Sequence, residues 1–202
     1  MLVAGEWAEA RSGETFEVIN PANGNVIQAI PNGGREEASR AIDAAYDAFP
    51  AWAATTAYDR SATLYRAWQL MIERKDHLAR MMTEEQGKPL RAATTEVQYA
   101  ADFLLWFAEE AKRVYGETIP SSRPDQRFIV MHQPVGVVAA ITPWNYPVSM
   151  ITRKVGPALA AGCTVVLKPA EATPLCAIET FKVLEEAGVP KGVINLVTAE
   201  NP

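Results

Sequence analysis

Two short segments hold the residues of this 202-residue chain best suited to chemistry. The first is Ile141-Thr142-Pro143-Trp144-Asn145-Tyr146-Pro147. The second, Lys168-Pro169-Ala170-Glu171, begins 23 residues after Asn145. A side-chain amide is a neutral N–H donor, so Asn145 could stabilise an oxyanion developing on a carbonyl. Pro143 and Pro147 restrict the backbone around it, and Trp144 adds a bulky wall. The bland explanation is a turn or helix-capping Asn, which the spacing alone favours. Lys168 and Glu171 could grip the vicinal hydroxyls of a ribose, the ammonium donating and the carboxylate accepting. A carboxylate there disfavours a 2′-phosphate by like-charge repulsion. The alternative is a lysine that merely reaches solvent and a Glu171 that favours a helix macrodipole. Arg153, eight residues after Asn145, lies about two helical turns later on roughly the same face. It could bind an anionic group or pair with a surface acid.

Other reactive residue types are less suggestive. Cys163 sits in a tight turn among small apolar residues, and Cys176 falls in the first turn of a helix. Neither has an obvious activating base, and the two show no metal-ligand spacing. His77 and His132 stand alone in helical and strand patterns and read as structural. The chain contains no G-x-G-x-x-G.

The elements that must position these residues are legible in outline. Each chemical segment follows a short apolar run, Val135–Ile141 and Thr164–Leu167, and precedes a helical pattern, from about Pro147 and from Pro174. Thr173-Pro174 gives a cap and a first-turn proline; Gly188 and Pro190 end that helix. With Val193–Val197 the order is strand, helix, strand, helix, strand. Continuous apolar strands joined by helices imply a parallel sheet covered on both faces. Open sheets of this kind bind ligands outside the carboxyl ends of their strands, where both segments fall.

Upstream, Thr15–Ile19 and Val26–Ile30 read as strands joined by the turn Asn20–Gly24. After the break at Asn32-Gly33-Gly34, Ala38, Ile42, Ala45 and Phe49 share a helical face. Leu64, Trp68, Met71 and Ile72 form a second face; Val97, Ala101, Leu104, Leu105 and Ala108 form a third. Gly87 and Pro89 mark a stop and restart between these two. Pro120 to Pro134 differs in character, with a loop at Ser121–Pro124 and a strand from Arg127 to Met131, as in an antiparallel arm leaving the main body.

Composition excludes several classes. A net charge of −5 with no basic stripe argues against nucleic acid as a partner. No window approaches the roughly 18 apolar residues of a membrane span, and Met1–Trp7 lacks the character of a signal peptide. A reduced, cytoplasmic protein is the plain expectation.

Taken together, five stretches resemble the aldehyde dehydrogenase superfamily. They are Ile19–Gly24, Glu85-Gln86-Gly87-Lys88-Pro89, Ile141–Pro147, Gly156–Cys163 and Lys168–Pro174. The resemblance runs in order from about Gly5 to Val197. Within the superfamily the chain is most similar to the succinate-semialdehyde dehydrogenases, notably through Met150-Ile151-Thr152-Arg153-Lys154.

The resemblance implies an α/β fold with a parallel Rossmann-like cofactor-binding sheet, flanking helices, a helix-rich N-terminal layer and an antiparallel oligomerisation arm, incomplete relative to the family. Residues 1–119 would be the N-terminal part of an NAD-binding domain, 120–134 the arm, and 135–202 a Rossmann-like segment. Asn145 would donate to the oxyanion of a thiohemiacetal. Lys168 and Glu171 would hold the adenosine ribose of NAD, with NADP disfavoured by Glu171. Ile141, Pro143 and Trp144 would line the nicotinamide side of the channel, and Arg153 would contact a substrate carboxylate. Tyr146 stands where relatives often carry Phe. The partners implied are a small aldehyde and, in the full-length form, a second copy; no membrane or nucleic acid is implied. Family members are more than twice this length and carry the catalytic Cys, the general-base Glu and the glycine-rich phosphate loop beyond the matched region. The expectation is therefore a chain inactive by itself, the alternatives being a short non-catalytic paralogue or an interaction subunit of a full-length relative.

Overall fold

The chain begins with a hairpin that joins the central sheet. In the computed structural model, which describes residues 1–200, β1 (Leu2–Val3) and β2 (Glu6–Trp7) are joined through Ala4 and Gly5, both with positive φ. Such backbone twist suits a two-residue hairpin, and glycine adopts it without steric cost. The sequence alone gave this pair no strand signal, because two residues are too few to show alternation. A second hairpin pairs β3 (Thr15–Ile19) with β4 (Val26–Pro31), as the turn at Asn20–Gly24 leads one to expect.

Four helices follow. α1 (Arg35–Ala53) leads to α2 (Ala57–Glu73), α3 (Lys75–Gln86) and α4 (Leu90–Glu110). The α2–α3 break at Arg74 has no Gly or Pro to announce it. Gly87, at φ +76, ends α3 as expected, and Pro89 caps α4. The expected faces of α2 and α4 are the packed ones: Leu64, Met71, Val97, Ala101 and Leu104 are fully buried. The face expected for α1 is rotated. Ala41, Ala45 and Trp52 are buried, whereas Ile42 is 50% exposed. Two alanines let α1 lie close on the sheet, and the Ala45 carbonyl accepts from Thr164 Oγ1 at 2.9 Å.

The arm is a two-stranded ribbon, β5 (Glu117–Pro120) against β6 (Arg127–Val130), every residue of it exposed. The βαβ unit then runs β7 (Val137–Ile141), α5 (Ser149–Ala160), β8 (Thr164–Lys168), α6 (Pro174–Glu186) and β9 (Ile194–Leu196). The sheet order is β2-β1-β9-β8-β7, parallel from β9 to β7, with β1 antiparallel to β9. The N-terminus thus supplies an antiparallel edge to a sheet expected to be purely parallel.

One sheet face packs Ala140, Val165, Leu167 and Leu196 into the main core with α2, α4, α5 and α6. Helices lie over both faces as expected, but the second face is only partly covered. There α1 lies over Val166 and Val197, but Val137, Ala139 and Ile141 border an open cleft of about 650 Å³ with Ala38 and Ile42. No helix among the described residues is long and apolar enough to cross a membrane.

Candidate active site

The two chemical segments leave the sheet side by side. In the parallel register Ile141 lies opposite Lys168, so both depart at the carboxyl ends of adjacent strands. Thr142 N donates to the Lys168 carbonyl at 3.2 Å, carrying the pairing one step past the strands. Lys168 Nζ lies 3.4 Å from Glu171 Oε2, and the Glu171 side chain is half exposed. Ile141, 74% exposed, and Lys168 border the open cleft beside α1. Trp144 and Glu171 border a second cleft of about 270 Å³ with Gln86. The structure therefore joins Ile141 with Lys168 and Trp144 with Glu171, while Pro143 and Asn145 are exposed on the loop between.

Arg153 is exposed on α5, its guanidinium 5.6 Å from the Phe103 ring of α4 and Nη1 3.8 Å from Met150 Sδ. Phe103 contacts Tyr99 edge-on at 4.7 Å, and Tyr99 lines a third cleft of about 620 Å³ with Lys88, Arg91 and Tyr146. An aromatic pair thus runs from the Arg153 guanidinium toward the loop that carries Asn145.

The residues that hold this loop carried no role in the sequence reading. Glu96, buried on α4, accepts from Val148 N and Ser149 N at 3.1 and 3.3 Å, at the N-terminus of α5. A buried carboxylate there satisfies helix-terminal N–H groups and complements the dipole. Lys88 pairs with Glu96 and donates to the Asn145 carbonyl at 2.9 Å. Gln86 Nε2 donates to the same carbonyl at 3.1 Å and to the Trp144 carbonyl at 3.3 Å. Glu85 serves α6 in a similar way, accepting from Leu175 N and, at 3.0 Å, from Cys176 N. Burial pushes its carboxyl from 4.5 up to about 7, opposed by the hydrogen bonds it accepts. For Glu85, Gln86 and Lys88 the available signal was the stretch Glu85–Pro89 itself, which the resemblance matched without assigning a role; Glu96 had none.

Both cysteines are buried. Burial, and next Glu85, push the Cys176 thiol well above its ordinary range, the reverse of what a nucleophile needs. His77 lies 3.4 Å from Glu179 and His132 Nδ1 meets the Tyr115 carbonyl, both on the surface.

The donor set suits a ribose: a cation and a carboxylate at adjacent positions past β8, with an apolar cleft on one side and an indole on the other. Residues 7–202 match the Aldehyde dehydrogenase family. The chain belongs to that family. It is 58% identical to a glutarate-semialdehyde dehydrogenase of Pseudomonas putida, covering 97% of this chain and 41% of the relative. It is 57% identical to a succinate-semialdehyde dehydrogenase [NADP(+)] of Escherichia coli, over 98% of this chain and 41% of that one. Among solved structures, an NADP-dependent enzyme of E. coli superposes with a TM-score of 0.98 at 55% identity, over 99% of this chain and 42% of that one. A betaine aldehyde dehydrogenase of Staphylococcus aureus in complex with NAD+ gives 0.95 at 40% identity, over 98% and 41%. This aldehyde dehydrogenase chain thus spans about 41% of the length of the relatives it matches.

Proposed function

We propose that the chain provides the oxyanion donor and part of the cofactor grip of an NAD(P)-dependent dehydrogenase acting on a small aldehyde with a terminal carboxylate, succinate semialdehyde first. The observation that supports it best is the register of β7 and β8, which starts the Asn145 loop and the Lys168–Glu171 turn from one level of the sheet. Lys168 and Glu171 hold the adenosine ribose, while Ile141, Pro143 and Trp144 wall the nicotinamide side. The chemistry a dinucleotide would supply there is that of a hydride acceptor. Asn145 donates its side-chain N–H to the oxygen that becomes anionic when a thiolate adds to the aldehyde, so it acts on the transition state more than on substrate binding.

Neither Cys163 nor Cys176 suits the thiolate role, and the isolated chain should not turn over. The exposed ribbon, with Ile119, Phe128 and Ile129 on its surface, suits association with a second copy in the full-length form.

Arg153 sets the substrate class. Replacing it with Ala in the full-length dehydrogenase should raise KM selectively for the carboxylate-bearing aldehyde, because a uniform binding contact is lost. The assay compares succinate semialdehyde with an uncharged aldehyde of similar length. Equal weakening of both would end the semialdehyde reading and leave only an aldehyde dehydrogenase of another specificity. A larger loss with glutarate than with succinate semialdehyde would move the assignment one carbon along.

A further inference from the structure

The loop Thr142–Val148 has to hold one exposed side chain, that of Asn145, in a place fixed to a fraction of an ångström. An oxyanion donor works only when it already points at the charge that is about to form. The loop's own sequence does not achieve this: Pro143 and Pro147 restrict φ at two positions but leave the Asn145 peptide free to rotate. What fixes that peptide comes from the α3–α4 junction. The Asn145 carbonyl accepts two hydrogen bonds, from Lys88 Nζ at 2.9 Å and Gln86 Nε2 at 3.1 Å. Two donors converging on one carbonyl set the peptide plane, and the plane sets the direction of the side chain attached to it.

Each donor is itself held. The Lys88 ammonium pairs with Glu96 and lies 4.3 Å from the centre of the Tyr146 ring. Glu96, 2% exposed at its side chain, also accepts from the amides that begin α5. Lys88 therefore meets three groups, and two of them belong to the loop and one to the residue that anchors its far end. Gln86 and Lys88 can reach the same carbonyl because Gly87 between them has φ +76. A Cβ there would also come within 3.1 Å of Pro21 Cγ, so no other residue fits comfortably.

We propose that Lys88, backed by Glu96 and assisted by Gln86, is a positioning residue for the Asn145 oxyanion donor. It acts through the Asn145 carbonyl and does not touch the substrate. The inference rests on the oxyanion role given to Asn145 above, and the experiment separates the two. The full-length dehydrogenase carrying this segment is assayed in single turnover for reduced dinucleotide formation, alongside aldehyde KM and thermal midpoint. Asn145→Ala should slow the single turnover about 10²-fold. Lys88→Met should slow it ~10-fold or more, with KM within about twofold, since a donor displaced by about an ångström loses much of its effect. Lys88→Arg should recover most of the rate. Gln86→Leu, which leaves no charge unpaired, should show a smaller fall of the same kind.

The deciding measurement is the double variant Lys88→Met/Asn145→Ala. If Lys88 acts through Asn145, the double variant should be no slower than Asn145→Ala alone. Rates that multiply would place the Lys88 effect elsewhere and overturn the inference. So would a Lys88→Met enzyme at the wild-type rate while Asn145→Ala is slow. If Lys88→Met does not fold, Gln86→Leu and its combination with Asn145→Ala carry the same comparison. An Asn145→Ala enzyme at the wild-type rate would remove the oxyanion reading and this inference with it.

Discussion

The two crossovers of the βαβ unit solve the same problem with different means. Both α5 and α6 start where a candidate site segment ends, and both expose N–H groups there that need acceptors. In each case a buried glutamate from the upstream helices supplies them, Glu96 for α5 and Glu85 for α6. Glu96 has Lys88 beside it; for Glu85 burial is the largest influence, and the carboxyl is raised to about 7. The paired site is the one that holds the Asn145 carbonyl, and the oxyanion role proposed for Asn145 would make its position matter most. The Glu85 site holds the start of α6, just past Lys168 and Glu171, where the proposed ribose grip would tolerate more latitude.

Breaking the α5 side should have the largest effect. Glu96→Ala removes the partner of an ammonium that is only 14% exposed and leaves two helix-terminal amides without an acceptor. Removing one member of a buried pair costs about 4 kcal/mol. Urea denaturation of the full-length protein should show that loss as a lower midpoint with unchanged slope. A loss below about 1 kcal/mol would mean that solvent reaches the pair, and the contrast with Glu85 would lapse.

The α6 side should instead reveal itself through pH. The folded chain holds the Glu85 proton up to pH about 7, whereas an unperturbed carboxyl releases it near 4.5. Between those values the folded state binds more protons. The stability tied to Glu85 is therefore fully present below pH 4.5, declines as pH rises to about 7, and levels off above it. The total change is about 3 kcal/mol. Glu85→Gln lacks the titration, so the stability of the wild type relative to this variant should fall by that amount across the window. A difference that stays flat from pH 4.5 to 7 would refute the titration.

This pair of glutamates also marks the limit of what the sequence makes legible. Strands β3, β4, β7 and β8, the packed faces of α2 and α4, and the α3 stop at Gly87 are all visible, because periodicity and turn chemistry are local. The β1–β2 hairpin, the α2–α3 break and the rotation of α1 are not. They depend on a sheet edge, a helix junction and a close approach that exist only in three dimensions. The same holds within the candidate site. Asn145, Lys168 and Glu171 are conspicuous because they follow apolar runs; Arg153 is found by spacing. Glu85 and Glu96 sit in helical patterns and Lys88 in the break between α3 and α4, places where charged residues are ordinarily solvated. Only the fold shows that the backbone groups they hold lie 52 to 91 residues away along the chain.

The smallest expected effect concerns the proposed ribose grip. Glu171 is half exposed and reaches Lys168 at 3.4 Å, a looser arrangement than the buried pair at α5. Its charge should oppose a 2′-phosphate, but across water-accessible space a like charge at about 4 Å is worth only about 1 kcal/mol. Glu171→Ser should therefore raise kcat/KM with NADP about fivefold relative to NAD, leaving the aldehyde KM unchanged. The E. coli relative described as using NADP(+) makes this the point where charge reasoning meets its hardest test. Measuring kcat/KM for both dinucleotides at two salt concentrations separates the possibilities. If the preference for NAD shrinks with salt in the parent and not in Glu171→Ser, the carboxylate is the discriminator. If the parent already prefers NADP and Glu171→Ser does not change the ratio, Glu171 serves the hydroxyls alone. The α6 side would then differ from the α5 side in selectivity as well as in rigidity.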